Sequence, residues 1–108
     1  MSREYASGNI FIRENELAKA GNLVRGHAHN FDHTTIVVRG AVHVRAITPD
    51  ARVFEQDFAA GQFFLVKADV MHEITATADD TLFLCVYSHR TPQGDIVQEF
   101  TGWGHAYV

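Results

Sequence analysis

The sequence predicts an all-β domain, either a sandwich or a barrel, on three observations. Its apolar residues fall into short alternating runs. Those runs are rich in β-branched and aromatic residues, as in TTIVV, AVHVRAI, EITAT and TLFLCVY. Turn residues separate them at intervals of roughly eight to twelve positions, the spacing of compact antiparallel folds. The 108 residues fit a single domain, 1–108, long enough to bury one sizeable core.

Taken in order, strands are expected over 9–13 (NIFIR), 22–29 (NLVRGHAH), 34–38 (TTIVV), 41–47 (AVHVRAI) and 53–58 (VFEQDF). Four more follow over 62–66 (QFFLV), 71–77 (MHEITAT), 81–87 (TLFLCVY) and 96–100 (IVQEF). Each combines strand-favouring side chains with flanking breakers. Pro49 and Pro92 mark turns in ITPDAR and RTPQGD. The one candidate helix is 13–20, RENELAKA, built of good helix formers and followed by Gly21 as a stop.

Composition narrows the function classes. The net charge is −4 with histidines neutral, and Lys and Arg are scattered. Phosphate backbones and anionic lipid surfaces both require clustered positive charge, so neither nucleic acid nor a membrane is an expected partner. Cys85 is the only cysteine and cannot form an internal disulfide. No long apolar run marks a leader or a membrane span, so the cytoplasm is the expected location.

The seven histidines are the informative entry in the composition. Three of them, His27, His29 and His33, lie in the segment GHAHNFDH. On a strand, side chains alternate faces, so His27 and His29 aim at one spot while Ala28 points away. The Asn30-Phe31-Asp32 stretch then lets the chain turn and bring His33 back. His72, in VMHEITAT, supplies a fourth imidazole from a remote strand, an arrangement that a closed barrel completes. A lone histidine on an apolar face reads as a hydrogen-bonded core residue. A cluster of inward imidazoles reads as a metal site, because unpaired imidazoles are costly to bury.

These residues resemble the cupin family. The first cupin motif reads Gly, five residues, His, one residue, His, three or four residues, Glu, six residues, Gly. This chain has Gly21, five residues, His27, one, His29, three, His33, six, and Gly40. His33 stands where the family carries glutamate. The second motif reads Gly, five residues, Pro, one, Gly, two, His, three, Asn. Here Gly61 and His72 keep that register, while Lys67, Asp69 and Ala76 replace Pro, Gly and Asn.

The resemblance implies a jelly-roll β-barrel of two antiparallel sheets. It also implies one divalent metal ion inside the barrel and a homodimer. His27, His29 and His72 match the family's ligand histidines, and His33 matches its glutamate. Four neutral imidazoles would leave the ion its full +2 charge, which favours Lewis-acid chemistry. Zn, Ni, Fe, Co or Cu all accept such ligands.

Other residues take plainer roles. Cys85 reads as a small buried hydrophobe and Glu73 as an outward-facing residue. His43 reads as an exposed or hydrogen-bonded strand residue, with His89 at a surface turn and His105 in the tail. Tyr87 is a candidate proton donor or substrate anchor. Phe31, Phe63, Phe64 and Phe83 are candidate pocket walls. Trp103 and Tyr107 in the terminal TGWGHAYV are expected to bury against a partner chain.

The functional expectation is a metal-dependent enzyme acting on a small organic molecule by isomerase, cyclase, lyase or hydrolytic chemistry. The alternatives are a non-heme metal dioxygenase, a non-catalytic sensor or small-molecule-binding module, and a barrel whose histidines stay empty. No general base is identifiable.

Overall fold

The computed structural model describes residues 2–88 and 99–101. They form ten strands: β1 (Ser2–Ser7), β2 (Ile10–Leu17), β3 (Leu23–His29), β4 (His33–Arg39), β5 (Ala41–Ile47), β6 (Val53–Ala59), β7 (Phe63–Val66), β8 (Met71–Ala76), β9 (Thr81–Ser88) and β10 (Glu99–Thr101). No helix occurs among the described residues. In particular, none is long and apolar enough to cross a membrane.

Two five-stranded antiparallel sheets result, in the orders β1-β2-β9-β4-β7 and β10-β3-β8-β5-β6. From β3 onward the chain passes back and forth between them, except at the β5–β6 hairpin, the connectivity of a jelly roll. The core lies between the inner faces and is made by Leu17, Val37, Val42, Val44, Ile74, Ala76 and Phe83. Each is the inward member of an alternating strand, so burial follows directly from the period of two.

The expected helix over 13–20 is not present. Residues through Leu17 belong to β2, which pairs along its whole length with β9, from Ile10↔Ser88 to Leu17↔Thr81. Phe11, Arg13, Asn15 and Leu17 alternate inward opposite Tyr87, Cys85, Phe83 and Thr81. Sheet pairing on both sides overrides the helix propensity of Glu, Leu and Ala. The strand β1 was not expected. Its six residues are exposed and carry no apolar alternation, and pairing with β2 alone defines them.

Two special backbone positions fix turns, one at the end of β4 remote from His33 and one beside His72. Gly40, between β4 and β5, has φ +76, and a Cβ there would lie 2.8 Å from the Thr81 Cα. Asp69, which stands at a glycine position of the cupin pattern, has φ 66. Aspartate tolerates this left-handed conformation better than most residues. The Asp69 N–H donates to the His29 carbonyl at 2.7 Å, and the Ala68 N–H donates to Asp32 Oδ1 at 2.7 Å. The turn before His72 is thereby tied to the loop that separates His29 from His33.

Candidate metal centre

Four histidines converge between the sheets. His27 and His29 come from β3, His72 from the adjacent β8, and His33 from β4 in the opposite sheet. All four are buried, His72 at 1% exposure. The rings of His27 and His72 lie 4.3 Å apart, those of His29 and His33 4.7 Å apart, and those of His33 and His72 5.3 Å apart.

A β-bulge sets this geometry. Val24 pairs with Ile74 and His27 with His72, so β3 carries one residue more than β8 between those pairs. The extra residue lets Val24 pack against the core while His27 and His29 also face inward, and Arg25 is left exposed. Bulges re-aim side chains in this way beside functional sites.

Hydrogen bonds fix two of the ring tautomers. His27 Nδ1 lies 2.8 Å from the Arg25 carbonyl and His72 Nδ1 lies 3.0 Å from the Val70 carbonyl. A carbonyl only accepts, so each Nδ1 carries the proton and each Nε2 presents a lone pair. The His72 Nε2 is buried with no hydrogen-bond partner among the described residues. A buried nitrogen left so is costly unless a ligand meets it. His27, His29 and His72 each offer a ring nitrogen within 4.8 Å of the others, a group able to hold a metal ion. His33 borders this group, and its Nε2 lies 3.1 Å from Thr35 Oγ1.

The electrostatics suit a cation ligand. Burial, and then the neighbouring His27, push the His72 pKa down to about 2, so the ring is neutral at any ordinary pH. Metal binding requires that neutral form.

A cavity of about 20 Å³ lies beside the rings, lined by His27, His29, His33, Arg13, Asn15, Cys85 and Tyr87 among others. It has room for about one water. No carboxylate lines it among the described residues. Arg13 and Asn15 were missed by the sequence reading, because the helix expectation removed them from the inward count. A period-two reading of Phe11-Arg13-Asn15-Leu17 finds both. Thr35, fully buried against His33, was also missed.

The remaining expectations sort as follows. Tyr87 faces the cavity, with its ring 4.4 Å from Phe31 and 6.4 Å from His33. Phe31 stacks on His29 at 4.6 Å. Phe83 is core, and Phe64 stacks on Phe58 at 4.4 Å. Phe63 is no pocket wall: it points outward and is 66% exposed, because alternation in β7 turns Phe64 and Val66 inward instead.

Cys85 is half-buried against the core, 3.5 Å from Thr35 Oγ1. Glu73 pairs across the sheet with Arg45, on the face opposite His72. His43 lies exposed between Asp57 at 2.7 Å and Glu55 at 3.0 Å. His89, Pro92, Trp103, His105 and Tyr107 lie outside the described residues.

A jelly roll holding a cluster of inward histidines able to hold a metal ion defines a class of small β-barrels. Residues 7–106 match the family model described as Cupin, and the chain belongs to that family.

Solved structures of oxalate decarboxylases share the fold. A tryptophan-to-phenylalanine variant from Bacillus subtilis is 20% identical with a TM-score of 0.78, over 94% of this chain and 28% of that one. A deletion variant of the same protein gives 22% and 0.79, over 93% and 27%. The formate complex of the Lactobacillus farciminis protein gives 26% and 0.74, over 81% and 27%. This chain therefore spans less than a third of the length of those proteins. No curated protein matches it.

Proposed function

We propose that this cupin is a metal-dependent enzyme acting on a small organic molecule, with one divalent transition ion, Zn, Ni, Fe, Co or Cu, held by His27, His29, His33 and His72. The observation that carries the reading is the group of three buried imidazoles, His27, His29 and His72, whose nitrogens gather within 4.8 Å and include the partnerless His72 Nε2, with His33 bordering them. When bound, such an ion supplies Lewis-acid polarisation of a substrate oxygen.

The chain's own residues do the rest. The carbonyls of Arg25 and Val70 hold the His27 and His72 rings in the ligating tautomer. Phe31, stacked on His29, keeps water from that side of the cluster. Tyr87 lines the same cavity and is the residue placed to anchor substrate or donate a proton. No carboxylate lines the cavity, and Arg13 in its wall carries a guanidinium already paired with Glu4 at 3.1 Å. The neighbours' names, oxalate decarboxylase and a formate complex, make small carboxylates the first substrates to try.

A homodimer is the assembled form in this reading. Ile36, Val38, Phe63 and Leu65 are exposed on the outer face of the first sheet, and Ile36 pairs directly with Phe63. Exposed apolar surface of this kind marks association. A reducing compartment, the cytoplasm, suits the free thiol of Cys85.

The test is elemental analysis of protein purified without an affinity tag, followed by turnover of a panel of small carboxylates and diketones. One equivalent of a transition ion is expected. The His27→Ala and His72→Ala pair should weaken uptake by more than the roughly 10- to 100-fold that changes outside the ligand set cause. Uptake unchanged by the pair rejects the reading. Oxygen consumption during turnover moves it to the dioxygenase class.

A further inference from the structure

The two sheets part between β6 and β7. All of β6 except Phe58 is exposed, although alternation turns Phe54, Gln56 and Phe58 toward the inner side, opposite Ala46, Val44 and Val42 of β5. Phe54 is 55% exposed there. The gap is a cleft of about 390 Å³ lined by Phe54, Gln56, Phe64, Val66, Lys67 and His72 among others. Its size falls in the range of small-molecule pockets. The stacked pair Phe58 and Phe64 lies along its wall.

The cleft is apolar with one unmatched charge. Lys67 is the only cation among its lining residues, and its ammonium has no ion-pair or hydrogen-bond partner among the described residues. The other charged lining residue, Glu55, is engaged by His43. Lys67 also replaces the proline of the second cupin motif, so this cation is a feature of the chain rather than of the pattern. The Arg52 guanidinium lies over the Phe54 ring at 5.8 Å but is paired with Asp50 at 2.9 Å, which leaves one unmatched ammonium, a better match for a singly charged anion than for a phosphate.

We propose that the β6–β7 cleft binds a small carboxylic acid with an aromatic or branched aliphatic body. The apolar part lies between Phe54 and Phe64, and the carboxylate pairs with Lys67. This goes beyond the metal-centre reading and does not depend on it.

The experiment titrates the full chain with 3-phenylpropionate and, separately, with its neutral amide, followed by amide-resonance shifts. The carboxylate should bind saturably, with shifts at Phe54, Phe64 and Val66, roughly tenfold more tightly than the amide. Lys67→Met should bring the carboxylate down to the level of the amide, and Phe54→Ala should weaken both. Lys67 is an exposed residue, so its replacement leaves the core untouched. Absence of saturable binding by either probe overturns the proposal. So do shifts confined to the outer sheet face, or a carboxylate preference that survives Lys67→Met. The titration is run on chelator-treated and on zinc-loaded protein. Carboxylate binding in both, even where zinc uptake fails, supports the cleft and leaves only the metal reading at fault. Binding to the zinc-loaded form alone overturns the cleft.

Discussion

His27 and His72 sit directly opposite one another across β3 and β8, with their ring centroids 4.3 Å apart. Both use the same device. Each Nδ1 donates to the carbonyl two residues earlier in the chain, Arg25 or Val70. The two Nε2 atoms are thus aimed before any ligand arrives, and the rings need little reorganisation to bind one.

That arrangement has a pH signature. Burial, and then His27, hold His72 down to about 2 in the folded chain, whereas an unfolded chain leaves it near 6.5. As pH falls below about 6.5, the unfolded state takes up a proton that the folded state refuses. Stability of metal-free protein should therefore decline with acid across that window, by up to about 1.4 kcal/mol per pH unit from this residue, and show no contribution from it above the window. Urea denaturation from about pH 7.5 to about pH 4.5 measures the slope. His72→Leu should flatten it, and an identical slope in the variant contradicts the assignment.

His43 should behave in the opposite sense. Hydrogen bonds to Glu55 and then Asp57 raise its pKa. Its contribution is present at pH below the unfolded value of about 6.5 and disappears as pH rises through the raised folded value. The residue is exposed, so His43→Gln should cost less than about 1 kcal/mol, and only on the acid side. Proton NMR titration should find its ring still protonated above the usual histidine range.

Gly40 carries a packing constraint that Gly61 does not. Both have positive φ, but a Cβ on Gly40 would lie 2.8 Å from the Thr81 Cα, while one on Gly61 meets nothing within 4 Å. Gly40→Ala should destabilise by roughly 1–3 kcal/mol, and by more than Gly61→Ala. Thermal unfolding of the two variants gives the comparison.

The outer face of the first sheet should govern assembly. Phe63→Glu with Leu65→Lys changes only outward side chains, each now 66% exposed. Light scattering should show a dimer mass for the unaltered chain and half that mass for the variant, with far-ultraviolet circular dichroism unchanged. A monomer in both cases removes the dimer from the functional reading.

Most of the barrel was legible in the sequence because its strands alternate cleanly. The segments TTIVV, AVHVRAI and TLFLCVY became β4, β5 and β9 within a residue or two of their expected ends. The shared face of His27 and His29 was legible from spacing, and the approach of His33 and His72 to them from the cupin motifs. What failed was local. RENELAKA has helical propensity, and only pairing with β1 and β9 makes its first five residues, 13–17, part of a strand. That error hid Arg13 and Asn15 from the cavity. The edge strand β1 has no buried face and so leaves no apolar pattern to read. Nor does alternation by itself announce the bulge between Val24 and His27, since an irregular pair of residues looks like any other.

The bulge makes β3 two half-strands of opposite phase. The Val24 half serves the core and the His27–His29 half serves the imidazole cluster, so either can drift in composition without rotating the other. Drawing the strand out into regular pairing, with no residue removed, would restore one phase to the whole strand. With the imidazole half held in place, a guanidinium, that of Arg25, would swing in beside the rings. The protein would then carry its own resident cation at the spot now open to a foreign one.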